Sequence, residues 1–188
     1  MAGCGPSLAS FDFAQFRGIA VLGSNSIGQL AAPTYYAIFD PFVFSILREL
    51  FYATPSIRIL PPWIDGSCDY RIGYRTEDEI GFGTSRLFSG RTAGFLCLGL
   101  AAVMGATEIH VIGIDGYDRK VLHGTQLPPE YSARARVKWT DARRSLVYAA
   151  WRSAAEWCTD NNVRLVNNST DTFLYTIPGI FHQYPEGG

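Results

Sequence analysis

Glu108-Ile109-His110-Val111-Ile112-Gly113-Ile114-Asp115 is the stretch that decides the fold of this sequence. Its first six residues form a short apolar run that ends at a glycine, which is typical of a buried strand. The first polar residue after it, Asp115, follows two positions later. Strands of this kind belong to parallel sheets that are covered by helices on both sides. The stretch therefore predicts an α/β protein, provided that helices alternate with further strands.

Strand-like and helix-like segments do alternate along the chain. Apolar or β-rich runs predict four more strands, at 18–23, 34–40, 56–60 and 163–166. Helical spacing and capping residues predict helices at 42–52, 89–104 and 140–159. Two stretches carry no clear period: 63–87, with at most a short hairpin, and 115–138. The pattern predicts one domain over residues 1–188, a Rossmann-like three-layer α/β/α fold with a mostly parallel sheet.

Composition and charge exclude several classes of protein. The net charge of −1 lacks the basic footprint of a protein that binds duplex DNA or RNA, so no nucleic-acid partner is expected. The four cysteines form no C-x-x-C pair, which favours free thiols in a reducing compartment. No segment resembles a signal peptide or reaches the roughly 20 apolar residues of a membrane span. We therefore expect a cytoplasmic protein without a transmembrane segment.

Ligands of open parallel sheets bind at the carboxyl ends of the strands. The polar residues that follow the predicted strands are the candidates for a site, and they are Asn25, Asp40, Asp115 with Tyr117, and Asn168 with Ser169. Three of them, Asn25, Asp40 and Tyr117, have a structural alternative as well. Asn25 and Asp40 are common loop and turn residues, and a buried tyrosine needs a hydrogen-bond partner in any fold.

Two glycine-containing segments are candidate anion sites. Gly3-Cys4-Gly5-Pro6-Ser7-Leu8 combines two glycines, which allow close approach of a phosphate, with Ser7 as a helix cap, although a plain turn would read the same way. Ser89 and Gly90 open the predicted helix 89–104, where backbone N–H groups are unpaired. An ordinary N-cap is the alternative for this second segment.

The histidines and one basic segment complete the candidates. His123 lies beyond a strand end, where a general base would be useful, whereas His110 fits a structural role and His182 an exposed one. Arg134, Arg136 and Lys138 are candidates for a mobile cationic lid. The neighbouring Arg143 and Arg144 are instead expected on a solvated helix face.

In this order the motifs resemble the bacterial sialyltransferases of glycosyltransferase family 42, and a wider set of relatives that includes a pterin diphosphokinase group. The opening is similar to the family's G-x-G-P-S-L. Further similarities lie at Gly23-Ser24-Asn25, Ser89-Gly90, Gly113-Ile114-Asp115-Gly116-Tyr117 and Val166-Asn167-Asn168-Ser169. The resemblance covers most of the chain, and the series of motifs is more specific than any one of them.

This resemblance implies a CMP-sugar donor, an unknown acceptor, no metal ion or other cofactor, and often a tetramer. Asn25 would contact the nucleotide, and Tyr117 would steady the departing phosphate. Trp63, Trp139 and Trp151 are candidates for a subunit contact or for partial burial.

The sequence also departs from the family at several positions. Cys4 stands where the family has asparagine, and His123 stands where it has a second tyrosine. Residues 132–162 contain no histidine, whereas the family places its catalytic base there. The family's first strand precedes the glycine loop, so a shortened first strand is expected here.

Three hypotheses about function follow. The first is a metal-independent, sialyltransferase-like glycosyltransferase with His123 as its base and Tyr117 behind the leaving phosphate. The second is a diphosphokinase-like phosphoryl transferase that holds Mg²⁺ on Asp40 and Asp115. The third is a nucleotide-binding module without catalysis.

Overall fold

The computed structural model describes residues 1–5, 7–8, 11–74, 80–115, 140–169 and 172–183. Within these residues the chain forms seven strands and three α-helices, which confirms the predicted α/β class. In chain order they are β1 (Leu22–Ser24), β2 (Tyr35–Ala37), α1 (Pro41–Ala53), β3 (Ile57–Leu60), β4 (Tyr70–Arg71), α2 (Ala93–Val103), β5 (Glu108–Val111), α3 (Asp141–Asp160), β6 (Arg164–Asn167) and β7 (Phe181–His182).

All strand pairs are parallel, in two groups ordered β1-β2-β3-β4 and β5-β6-β7. Residues 1–3 join the two groups, because Ala2 forms parallel bridges to both Gly23 and Ile112. The Ala2 N–H donates to the Leu22 carbonyl at 2.8 Å, and the Gly3 N–H donates to the Ile112 carbonyl at 2.8 Å. The short stretch expected as a first strand therefore lies at the centre of the sheet, between β1 and β5.

The side chains of the sheet alternate between two cores. Tyr36, Ile38 and Leu60 face the core under α1, whereas Ala37, Phe39 and Ile59 face the core under α2 and α3. This period of two follows from strand geometry, and both faces are apolar because helices cover both. The result is the predicted three-layer arrangement.

Each helix has a local reason for its position. Asp40 caps α1 by accepting a hydrogen bond from the Phe42 N–H, and Pro41 fits the first helical turn. The helix α2 is buried almost all round, from Gly94 to Ala102, and thus forms the interior of its layer. The helix α3 begins after Thr140, whose hydroxyl accepts from the Arg143 N–H. Among the described residues no helix has the length and apolar character needed to cross a membrane.

Two expectations about elements were wrong. The stretch 63–87 contains β4, which pairs parallel to β3 and is not part of a hairpin. The sheet also has an edge strand, β7, that no pattern indicated. Trp151, a candidate for a subunit contact or for partial burial, is fully buried, because its spacing along α3 places it on the apolar face with Val147 and Ala154. Trp63 is 46% exposed, and Trp139 lies outside the described residues.

An apolar cavity lies at the amino ends of the strands, beside residues 1–3. Its volume is about 270 Å³. Mostly apolar side chains line it, with Glu108 and His110 as polar exceptions, and they include Phe13, Phe16, Val21, Met104 and Ile109. We call it the amino-end cavity.

Candidate functional site

The order of the strands reverses at residues 1–3, since β1 to β4 follow on one side and β5 to β7 on the other. Such a reversal opens a crevice at the carboxyl ends of the strands, which is where ligands of this architecture bind. At this edge the Gly5 N–H donates to the Gly113 carbonyl at 2.8 Å. A Cβ atom on Gly3 would lie 2.5 Å from the Gly113 carbonyl oxygen, so the crossing of the two loops requires a glycine.

A carboxylate of the chain itself binds the opening loop. The Ser7 N–H donates to Asp115 Oδ2 at 2.7 Å, and the Ser7 hydroxyl donates to Asp115 Oδ1 at 2.5 Å. In this conformation the donors that the sequence assigned to an anionic ligand are directed at Asp115. Pro6 lies outside the described residues.

A polar pocket of about 460 Å³ lies at the carboxyl ends of β1 to β4, and we call it the carboxyl-end pocket. It brings together three residues predicted from separate motifs, Asn25, Asp40 and Ser89. The described residues that line it are Asn25, Phe39, Asp40, Pro41, Val43, Trp63, Tyr74, Ser89, Arg91, Thr92, Ala93, Leu96 and Arg143.

Asn25 enters this pocket from the end of β1 with an unusual backbone. Its φ angle is 54°, in the left-handed region that costs energy for residues other than glycine. The buried Tyr36 hydroxyl donates to the Asn25 carbonyl and holds the turn in place. The side-chain Oδ1 atom is buried and finds no hydrogen-bond partner among the described residues. A buried acceptor without a donor is destabilising, and a ligand N–H or O–H would relieve it.

Two arginines give the pocket positive charge. Arg91 also has a left-handed φ, 59°, and the Arg143 guanidinium donates to the Arg91 carbonyl at 3.4 Å. Burial, and to a lesser extent the charge of Arg91, lowers the pKa of Arg143. Two cationic side chains in one partly buried pocket favour an anionic ligand. The expectation that Arg143 lies on a solvated helix face was therefore wrong, since the first turn of α3 faces the pocket.

The start of α2 differs from the predicted one. Thr92 caps this helix by accepting from the Phe95 N–H at 3.2 Å, so α2 begins at Ala93 and not at Ser89. Ser89 precedes the cap and its hydroxyl accepts from the Arg91 N–H at 3.4 Å. Gly90, with a φ of 46°, lies between them in the turn. The first turn of α2 nevertheless lies at the pocket, with Thr92 and Ala93 in its wall.

Asp40 lies opposite a small aromatic wall. The Tyr74 hydroxyl donates to the Phe39 carbonyl at 3.3 Å, and the Trp63 and Tyr74 rings meet edge-on with centroids 4.9 Å apart. Burial and the negative charge of Asp40 raise the pKa of Tyr74. Tyr74 thus stays protonated at neutral pH, as a donor beside a carboxylate.

Asn168 and Ser169 lie at the same edge of the sheet but do not line the carboxyl-end pocket. The Ser169 hydroxyl accepts from the Ile114 N–H at 3.0 Å and supports the turn after β5. Asn168 Oδ1 lies 3.0 Å from His110 Nδ1, and His110 Nε2 lies 2.6 Å from Glu108 Oε1. His110 thus has the structural partners expected of it.

His182 was expected to be exposed, and this was wrong. It is half-buried in β7, where its ring packs against Tyr175. Burial lowers its pKa.

Several predicted residues fall outside the described part of the chain. They are Tyr117, His123, Arg134, Arg136 and Lys138. In the part that the structure does describe, no three His, Cys, Asp or Glu side chains form a group that could hold a metal ion. Asp40 and Asp115, the carboxylates considered for Mg²⁺, cap α1 and bind Ser7 respectively. All four cysteines are free thiols.

Sequence reasoning missed Trp63, Tyr74, Arg91 and Arg143. Trp63 could have been predicted from the rule that ligands bind at the carboxyl ends of strands, because it follows the predicted strand 56–60. Tyr74 lies in a stretch without a clear hydrophobic period, so the short strand β4 that precedes it was not predicted. Arg143 could be assigned only once the direction of α3 was known.

Comparison with protein-family models, with curated proteins and with solved structures finds no match to this chain.

Proposed function

We propose that this chain is a sialyltransferase-like glycosyltransferase that binds a CMP-sugar donor in the carboxyl-end pocket without a metal ion. The observation that carries the proposal is the buried, unpartnered Oδ1 of Asn25 in the wall of that pocket. An acceptor atom in this position selects a base that offers an N–H group. The 4-amino group of cytosine is such a donor, whereas uracil presents an acceptor oxygen at the same place.

The charge of the pocket supports a nucleotide. Arg91, Arg143 and the first turn of α2 together favour a phosphate group. A volume of about 460 Å³ lies in the range usual for small-molecule sites. The left-handed backbone of Asn25 and Arg91 is strain of the kind that clusters at functional sites.

The sequence resemblance supplies the remaining roles. Tyr117 would donate a hydrogen bond to the departing phosphate and thus stabilise the charge that develops on it. His123 is the base that the sequence suggests for the acceptor hydroxyl. Ser89 and Gly90 would place the nucleotide against α2.

The test is the melting temperature of the protein with CMP, UMP and ATP, each with and without Mg²⁺. A ligand at about 100 times its Kd adds roughly 2.7 kcal/mol to stability. We expect a metal-independent shift with CMP, a much smaller one with UMP, and loss of the CMP shift in Asn25→Ala. Asn162→Ala is the matched control, because Asn162 has a similar left-handed φ, 57°, in the turn after α3.

Two outcomes would contradict this proposal. One is a UMP shift as large as the CMP shift, since it would show that Asn25 does not select the base. The other is a shift with ATP that requires Mg²⁺, which would favour the diphosphokinase-like hypothesis. A purified chain that binds CMP and transfers no sugar would favour the binding module.

A further inference from the structure

We propose that Asp40 is the general base of this site, and that Trp63 and Tyr74 beside it form the wall of the acceptor subsite. The inference rests on the proposed transfer from a nucleotide-sugar and deepens it. It assigns the proton-accepting role to a residue of the carboxyl-end pocket in place of His123.

The chemistry of the pocket leads to Asp40. Of the described residues that line it, Asp40 alone carries a carboxylate. The other ionisable side chains are Tyr74, which stays protonated, and Arg91 and Arg143, whose guanidinium groups accept no proton. Among the described residues of the pocket, Asp40 is therefore the group that can accept a proton from an acceptor hydroxyl.

The position of Asp40 suits this role. Its backbone is held at the start of α1, where Oδ1 accepts from the Phe42 N–H at 2.8 Å. Among the described residues that line the pocket, the other charged and titratable groups are Tyr74, with which Asp40 interacts electrostatically, and the two arginines.

The aromatic wall supplies a place for the acceptor. Trp63 is 46% exposed, and its ring meets Tyr74, which in turn meets Phe39 at 5.6 Å between centroids. An exposed ring that other rings hold in place offers a flat apolar surface to the C–H face of a sugar. Asp40, Trp63 and Tyr74 follow β2, β3 and β4, whereas Arg91 and Arg143 come from the starts of α2 and α3. The acceptor would thus bind beside Asp40 and the aromatic wall, and the phosphate would bind beside the two arginines.

The step balances without a further reactant. The acceptor hydroxyl gives its proton to the Asp40 carboxylate, and its oxygen forms a bond to the anomeric carbon of the nucleotide-sugar. The bond between that carbon and the phosphate oxygen breaks, and its electron pair leaves with CMP. Asp40 then returns the proton to solvent.

The experiment compares Asp40→Asn and Asp40→Ser with the wild-type chain. Both replacements keep a side chain that caps a helix, so α1 and the melting temperature should be preserved. We expect the CMP shift to remain and the transfer rate to fall by about 10²-fold or more. Added formate should partly restore transfer by Asp40→Ser, and the acid limb of the wild-type kcat/KM profile should vanish in Asp40→Asn. Asp12→Asn is the control, because Asp12 caps the 3-10 helix Phe13–Phe16 in the same manner.

The outcomes separate this inference from the proposed function. Transfer by Asp40→Asn at a rate near that of the wild type would overturn the inference and leave the donor site standing. A wild-type chain that binds CMP but transfers no sugar, to an acceptor or to water, would overturn the inference and reduce the function to binding. A chain that binds no CMP would overturn both the inference and the proposed function.

A second pair of variants tests the acceptor subsite. Trp63→Ala should raise the KM for the acceptor several-fold while leaving the CMP shift unchanged, and Trp63→Phe should restore the KM.

Discussion

The carboxyl-end pocket and the amino-end cavity lie at opposite ends of the parallel strands, and they differ in chemistry. The pocket holds two arginines, a carboxylate and an unpartnered amide oxygen, whereas the cavity is lined mostly by apolar side chains. Three described residues other than glycine have a left-handed φ, and two of them, Asn25 and Arg91, line the pocket. Strain and unsatisfied polarity are thus concentrated at one edge of the sheet.

The difference has a physical cause. All strands are parallel, so the loops that leave their carboxyl ends converge on one edge, where backbone amides and short polar side chains meet. At the opposite edge the chain enters the strands, and mostly apolar side chains line the cavity there. The charged and polar groups of the carboxyl-end pocket therefore favour a charged ligand, whereas the amino-end cavity favours an apolar one.

The largest effect should come from crowding the crossing of the two loops. Gly3→Ala places a Cβ atom 2.5 Å from the Gly113 carbonyl oxygen, a backbone atom that cannot rotate away. We expect a loss of about 3 kcal/mol in the free energy of unfolding by urea. Gly105→Ala, beside the amino-end cavity, has a φ of 80° but no atom within 4 Å, and it should cost only about 1 kcal/mol. Equal losses would show that the carboxyl edge is not the more tightly packed one.

Alkaline pH should weaken the protein through thiols near the carboxyl edge. Burial raises the pKa of Cys97 to about 12, and it also raises the pKa of Cys4. Because the folded pKa lies above the unfolded value of about 8.5, this stability is complete below pH 8.5 and is lost as the pH rises towards 12. Between pH 8 and pH 10 we expect about 2 kcal/mol to be lost for Cys97, and Cys97→Ala should remove most of that difference. Cys68→Ala is the control, and a slope unchanged in Cys97→Ala would contradict this assignment.

Glycine at the two strained positions of the pocket should favour stability but oppose binding, because it removes the side chains that face the ligand. Asn25→Gly and Arg91→Gly each remove a left-handed side chain, and we expect each to leave stability unchanged or raise it by up to about 1 kcal/mol. Both should weaken CMP binding, as a thermal shift would show. Asn162→Gly should have the same effect on stability and none on binding. If Asn25→Gly binds CMP as the wild type does, neither the Asn25 side chain nor its backbone strain has a part in the site.

The smallest effect concerns the amino-end cavity. A volume of about 270 Å³ with an apolar lining can take a small apolar molecule such as benzene. We expect benzene to raise the melting temperature by about 1–2 °C, and Ala106→Leu, in the cavity wall, to abolish the shift. A shift that survives Ala106→Leu and disappears with CMP would mean that benzene binds in the carboxyl-end pocket.

Much of the site could be predicted from short-range signals. Asn25 and Asp40 each follow a recognisable strand, and the rule about carboxyl ends placed them in one site before their contacts were known. The pairing of Ser7 with Asp115 could not be predicted, because the two residues are 108 positions apart and no spacing links them. Trp63 and Arg143 were ambiguous for a similar reason, since a ring or a guanidinium on a surface has no preferred partner within its own segment.

The sequence by itself determined the class of fold. Apolar residues recur every two residues in a half-buried strand and about every 3.6 residues in an amphipathic helix, so both kinds of element can be recognised from the sequence. It also indicated the polar residues that follow β1, β2, β5 and β6. Only the tertiary structure decided that residues 1–3 complete the centre of the sheet, that a carboxylate of the chain binds the opening loop, and that Arg143 faces a pocket. These are contacts between distant segments, and their energy depends on how the layers pack and not on any local pattern.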